Sequence, residues 1–169
     1  MAVEIEKVEI IATYFAEQIP KLNVTKLMKL FYYVDFISYA ERGASVTGDS
    51  YYKLPYGPVP TFIKDQINDL STNDQLDGYT SPLKKYLILE VVSEGKFKTI
   101  LVKNRVKSNL SNLSEYEQSL VKKITQRFMK DTARSLTAKT HKEKPYLLTP
   151  DNSIIDYCLA PLLQPEKIL

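Results

Sequence analysis

The sequence holds one histidine, His141, and one cysteine, Cys158, so a single Cys–His pair is available for nucleophilic catalysis. Cys158 lies in the apolar run Ile154-Ile155-Asp156-Tyr157-Cys158-Leu159, where a cysteine reads as core rather than as a nucleophile. A lone cysteine excludes a disulfide framework and a zinc ribbon, and it suits a reducing cytoplasm. His141 and Cys158, seventeen positions apart, also lack metal-ligand spacing. Asp65, Asp69, Asp74 and Asp77 are spread over a helix end and the acidic polar loop Ser71 to Gly78, without the ordered oxygen-rich loop of a calcium site. Five glycines form neither a P-loop nor a dinucleotide fingerprint. No catalytic residues, metal or cofactor are expected.

The most informative titratable group is Asp35. At 100° per residue it falls inside an apolar arc made by Leu27, Leu30, Phe31, Val34 and Ile37, beside an aromatic one made by Met28, Tyr32, Phe36 and Tyr39. A carboxylate there has to be hydrogen-bonded or paired. It reads as a structural acceptor for a Tyr hydroxyl, a base or backbone N–H groups. The competing reading, an active-site carboxylate, needs a second acid or base nearby. Lys26, Lys29, Tyr33 and Ala40 form the thin strip left to face solvent.

The elements that position these residues follow from pattern. A first helix spans 3–18, and Pro20 stops it. Asn23 caps a second helix that runs to Arg42, with Gly43 as a left-handed stop. This helix is apolar around most of its circumference and so is central to the domain. Ala44 to Pro60 reads as an extended segment with tight turns, and Pro58 and Pro60 suit the entry to a third helix. A β-hairpin is expected over 85–104, its first strand (Tyr86–Val92) covered on both faces. Ser114-Glu115-Tyr116-Glu117 is a capping box that opens a helix burying Leu120, Val121, Ile124 and Phe128. A shorter helix follows over Thr132–Thr140, and the tail with Ile154, Ile155, Leu159, Leu162 and Leu163 is apolar enough to dock.

The length of 169 residues predicts one domain that buries roughly 70% of its unfolded surface. The net charge of +3 is split, with −4 in residues 1–80 and +7 in 81–169. Lys123, Arg127, Lys130 and Arg134 form one stripe if their helix continues that far, and the hairpin adds Lys96, Lys98, Lys103, Arg105 and Lys107. These side chains read as solvated borders of apolar faces. The alternative is an electrostatic footprint for nucleic acid or an acidic protein. No helix-turn-helix or zinc-finger pattern accompanies the charge, and the aromatics cluster in 31–62, away from it. The start carries acid where a signal peptide needs base, and no run reaches the ~18–20 apolar residues of a spanning helix, so a soluble, cytoplasmic protein without membrane contact is expected.

Taken in order, these residues resemble the Panacea, or SocA-like, antitoxin domain of bacteria and their phages. Lys26-Leu27-Met28-Lys29-Leu30-Phe31-Tyr32-Tyr33-Val34-Asp35 is similar to that family's Lys-Leu-x-Lys-Leu-x-Tyr-x-x-Asp helix. Val46-Thr47-Gly48-Asp49 followed by Tyr56-Gly57-Pro58-Val59 is similar to its Thr-Gly and Tyr-Gly-Pro-Val pair. A weaker match joins Leu113-Ser114 and Glu117 to Thr140-His141 and Pro145-Tyr146, where the family often has Trp in place of Tyr146. The likeness covers roughly 5–147, with 148–169 as a docking tail and the whole of 1–169 as one domain.

The resemblance implies a single α+β domain, predominantly helical, with a central buried helix and a small antiparallel β-hairpin. It also implies a non-enzymatic antitoxin that neutralises a cognate protein toxin, encoded by a neighbouring gene, through direct binding in a type II system. One branch of the family resembles a proteolytic adaptor that delivers its toxin to the ClpXP protease, which makes that the alternative. A nucleic-acid-binding regulator using the basic half is a third reading. Family antitoxins often carry an additional DNA-binding module, but here the residues ahead of the Lys-Leu motif make one helix and leave no room for it. Lys26, Lys29 and Tyr33, on the strip expected to be exposed, are candidates for toxin contact. So are Tyr51, Tyr52 and Tyr56, because clustered loop tyrosines make good interface anchors. Structural roles fall to Leu27, Leu30, Tyr32, Asp35, Thr47, Gly48, Gly57, Pro58, Val59 and His141.

Overall fold

A computed structural model describes residues 2–71 and 80–169. At its centre lies α2 (Val24–Arg42), as its nearly all-round apolar sequence requires. The Asn23 side chain accepts from the Lys26 amide at 2.8 Å to cap it, and Gly43 ends it in the left-handed region at φ 70°. α1 (Ile5–Gln18) lays Val8, Ile11, Ala12 and Phe15 into the core, with Phe15 edge-on to Phe31. It starts two residues later than its apolar spacing predicts. The Glu4 amide is tied to the Thr47 carbonyl at 2.8 Å, which keeps the entry extended.

Residues 44–60 end in a tight hairpin, β1 (Tyr51–Leu54) and β2 (Gly57–Pro60), paired from Tyr51 opposite Pro60 to Leu54 opposite Gly57. Pro58 and Pro60 therefore belong to a strand, not to the entry of the third helix. α3 (Thr61–Ser71) begins only after them. Its first amides are met by Asp49, whose carboxylate accepts from Phe62 at 3.0 Å and Ile63 at 3.1 Å. Beyond Ser71, the acidic loop with Asp74 and Asp77 lies outside the described residues.

A 3-10 turn (Pro82–Lys85) leads into the second hairpin, β3 (Leu87–Glu94) and β4 (Phe97–Asn104), joined through Gly95-Lys96. It is anchored at its base. Val102 donates to the Leu22 carbonyl at 2.8 Å, and Leu87 and Val102 are buried. Its outer half projects, with Ile88 and Val91 exposed and Phe97 80% exposed. The expectation that both faces of the first strand are covered is wrong: neighbouring elements reach only the base of this ribbon.

The Ser114–Glu117 capping box opens α4 (Glu115–Phe128), which buries Leu120, Val121, Ile124 and Phe128 as predicted. It stops at Phe128, and α5 (Ala133–Thr140) starts afresh behind its cap Thr132. Lys123, Arg127, Lys130 and Arg134 therefore do not share one helix face. α6 (Lys144–Leu148), a 3-10 segment (Tyr157–Leu163) and α7 (Pro165–Ile168) complete the chain. The tail docks through Ile155, Ala160 and Leu163, and the Tyr157 ring stacks on Phe36 and Tyr39. Cys158 contradicts its expectation of core burial: it is exposed, because the 3-10 segment turns that side outward. The fold is α+β and predominantly helical, with two small antiparallel sheets among the described residues.

Candidate functional site

Asp35 organises the turn that follows α2. Its Oδ1 accepts from the Val46 amide at 2.8 Å and the Thr47 amide at 2.7 Å. Its Oδ2 accepts from the Thr47 hydroxyl and, at 2.6 Å, from the Tyr51 hydroxyl. Full burial still outweighs these four donors and raises its pKa to about 6. Asp35 is thus the structural acceptor that its position implies. Tyr51, proposed from the sequence as a toxin contact, is buried: its hydroxyl is spent on Asp35, and its ring lies edge-on to Tyr32 and Phe36.

The polar strip of α2 is likewise not exposed. Lys26, Lys29 and Tyr33, the other contacts proposed from that strip, are all buried because α4, α5 and β2 close over it. Lys26 donates to the carbonyls of Met129 at 2.9 Å and Asp131 at 2.6 Å, satisfying the backbone where α4 ends. Tyr33 stacks on Phe128 at 4.6 Å and pairs its hydroxyl with the Glu143 carboxylate. Lys29 is only 1% exposed and donates to the Pro58 carbonyl at 3.0 Å. Desolvation lowers its pKa to about 7. A helical wheel identifies this strip as the least apolar arc, but it cannot see a neighbour whose carbonyls suit an ammonium.

Gly57 explains the close approach of β2 to α2. Its φ is +105°, and a β-carbon there would stand 2.7 Å from Lys29 Cε and 3.1 Å from Thr140 Oγ1. Pro58 supplies the carbonyl for Lys29, and Val59 stands opposite Tyr52. His141, next to Thr140, stacks on Tyr146 at 4.6 Å, and the Tyr146 hydroxyl donates to the Leu54 carbonyl at 2.8 Å. Lys53 and Glu143, which the sequence reading did not single out, complete this region. Lys53 Nζ lies 4.9 Å from the Tyr146 ring centre and bonds the Thr149 carbonyl and Asp151. The Lys29 turn of α2, Gly57-Pro58 and Thr140-His141 thus meet in space, whereas Val46-Thr47 gathers on Asp35 and the Ser114–Glu117 box lies beside Lys7.

This convergence fits what comparison of the sequence finds: a family model described as the SocA-like antitoxin, Panacea domain, matches residues 27–146. The chain belongs to this family. No curated protein and no solved structure matches it. Membership in the SocA-like Panacea family points to a toxin–antitoxin role and a non-catalytic one. Among the described residues no group of three His, Cys, Asp or Glu side chains could hold a metal ion, and no helix is long and apolar enough to cross a membrane.

Of the sequence-derived contact residues, Tyr52 and Tyr56 alone reach solvent. Tyr56, at the tip of the first hairpin, is 77% exposed. Tyr52 belongs to a further β pairing that the sequence did not announce. Residues 152–155 run along the free edge of β1, with Asn152 donating to the Lys53 carbonyl and Ile155 to the Tyr51 carbonyl. Ile154 stands directly opposite Tyr52 and is 55% exposed, so an apolar pair lies on the outer face, with half-buried Val59 beside Tyr52.

Proposed function

We propose that this Panacea-domain chain is the antitoxin of a type II system and silences a cognate protein toxin by direct, non-covalent binding in the cytoplasm. Family membership supplies the toxin–antitoxin role. The structural observation that carries direct binding is the outer face of the first hairpin, where Tyr52, Val59 and Ile154 form an uncharged surface beside the protruding Tyr56. Tyrosine is among the residue types that carry most of the binding energy in protein interfaces, and the aliphatic neighbours help to exclude water around it. Lys26, Lys29, Tyr33 and Tyr51 shape the scaffold behind that face and make no toxin contact. The whole of 1–169 acts as one domain, since the tail contributes Ile154 to the surface.

Co-expression tests this reading. The product of the adjacent gene arrests growth when expressed alone, and this chain restores growth when expressed with it. An adjacent product that is harmless, or toxicity that persists despite an expressed and folded partner, contradicts the proposal.

A further inference from the structure

The second hairpin has one protected edge and one bare edge. β4 carries Lys98 and Lys103, and its base is covered where Val102 donates to the Leu22 carbonyl and Leu101 bridges Asn23. Lysines and covering segments are common means by which an edge strand is kept from pairing further. β3 holds no lysine and no proline, and its register with β4 runs without a bulge.

That register also shows which groups are free. Val102 turns its amide away from β3, so Leu89 opposite it turns its own amide and carbonyl away from β4. The two-residue period of a strand adds Val91 and Ser93 to this outer edge. Among the described residues, none of the three has a backbone hydrogen bond beyond the hairpin. The free stretch is bounded at both ends: the Leu87 carbonyl accepts from Arg105 Nε at 2.9 Å, and the Gly95-Lys96 turn follows Glu94. Its midpoint is Val91, which is 62% exposed.

We propose that two copies of this chain pair β3 with β3, antiparallel, about a two-fold axis at Val91. Val91 then faces its own symmetry mate, and Leu89 of each copy faces Ser93 of the other, so every free backbone group is used. On the face that holds buried Leu87 and Val102, Ile100 and Val91 of each copy join in one apolar row across the axis. Charge selects this register. An axis at Glu90 would set that carboxylate against its mate, and an axis at Val92 would set Glu90 against Glu94. With the axis at Val91, Glu90 faces Val92 and keeps its in-chain partner Lys103. The pairing also lays the basic tip of one ribbon, Lys96 and Lys98, along the base of the other, which packs on α1 and its acidic Glu6 and Glu9. The outermost strands of the joined sheet are the two protected β4 strands, so assembly closes at the dimer.

The contact uses no residue of the first hairpin and is tested on the chain alone. In sedimentation equilibrium the mass passes from 19.4 kDa to twice that value as concentration rises. Val91→Lys, a change at an exposed site, puts two ammonium groups on the axis and raises the dimer Kd about a hundredfold. Val91→Thr keeps the dimer. In a Cys158→Ser background, a short thiol crosslinker joins two Val91→Cys chains across the axis. It does not join Ile88→Cys chains, whose cysteines lie about 20 Å apart in this register. A monomer at every concentration overturns the proposal, as does a dimer that Val91→Lys leaves intact or that crosslinks equally through Ile88→Cys. The cysteine pair decides independently of how Val91→Lys folds.

Discussion

Asp35 and Lys29 lie on one helix, both buried, and burial moves their pKa values toward each other. Asp35 holds its proton up to about 6 in the fold, against an ordinary value of 3.8. Its contribution is therefore fully present below the lower value and is lost as pH rises through the upper one. Lys29 gives up its proton near 7 instead of 10.5, so stability rises as pH climbs across that interval. In chloride buffers, Asp35→Asn should flatten the acidic fall at little cost, because an amide can still serve the Val46 and Thr47 amides. Asp35→Ala strands four donors and should cost about 3–5 kcal/mol by denaturant unfolding. Lys29→Met should remove the alkaline rise. An unaltered stability–pH curve in both Asp35→Asn and Lys29→Met would show that these burial costs have been misjudged. Asp35 was legible because one carboxylate in an apolar arc has few solutions. The fate of Lys26, Lys29 and Tyr33 was not, since their partners are carbonyls and a carboxylate that lie far along the chain.

At the scale of elements, signals local to the chain were readable. The Asn23 cap, the Gly43 stop and the Ser114 capping box each satisfy backbone groups a few residues away, and all three stand where the sequence put them. Non-local pairings were hidden: residues 152–155 bonded along the edge of β1 with a single bridge at Ile154, and Asp49 as the acceptor for the start of α3. Pro58 and Pro60 stand in β2 through the same kind of non-local pairing. Proline suits both a helix entry and a short strand, and only the register with Tyr51 and Lys53 decides. The β1–β2 turn also yields a sharp prediction. Gly57→Ala places a methyl group against Lys29 at a positive φ and should cost about 1–3 kcal/mol. Combining it with Lys29→Ala, which clears the clash, should recover part of that loss in thermal unfolding. Strictly additive losses would indicate backbone strain alone.

Across the whole molecule, the split between an acidic first half and a basic second half does not gather into one continuous basic helix face. The break between α4 and α5 divides the basic stripe, and Arg127 is turned toward Asp131 and the Ile168 carbonyl. On the second hairpin Lys103 is paired with Glu90. The uncharged outer face of the first hairpin is the better candidate for partner recognition. Tyr52→Asp and Ile154→Asp, both on that face, should leave circular dichroism and melting close to wild type while weakening toxin binding at least tenfold. The most direct measurement is co-purification of the adjacent gene's product with tagged chain, comparing wild type with these two variants. Direct neutralisation predicts a stable complex with the wild type, lost in both variants together with growth rescue. A toxin that never co-purifies with the folded wild-type chain, even where growth is rescued, would contradict it.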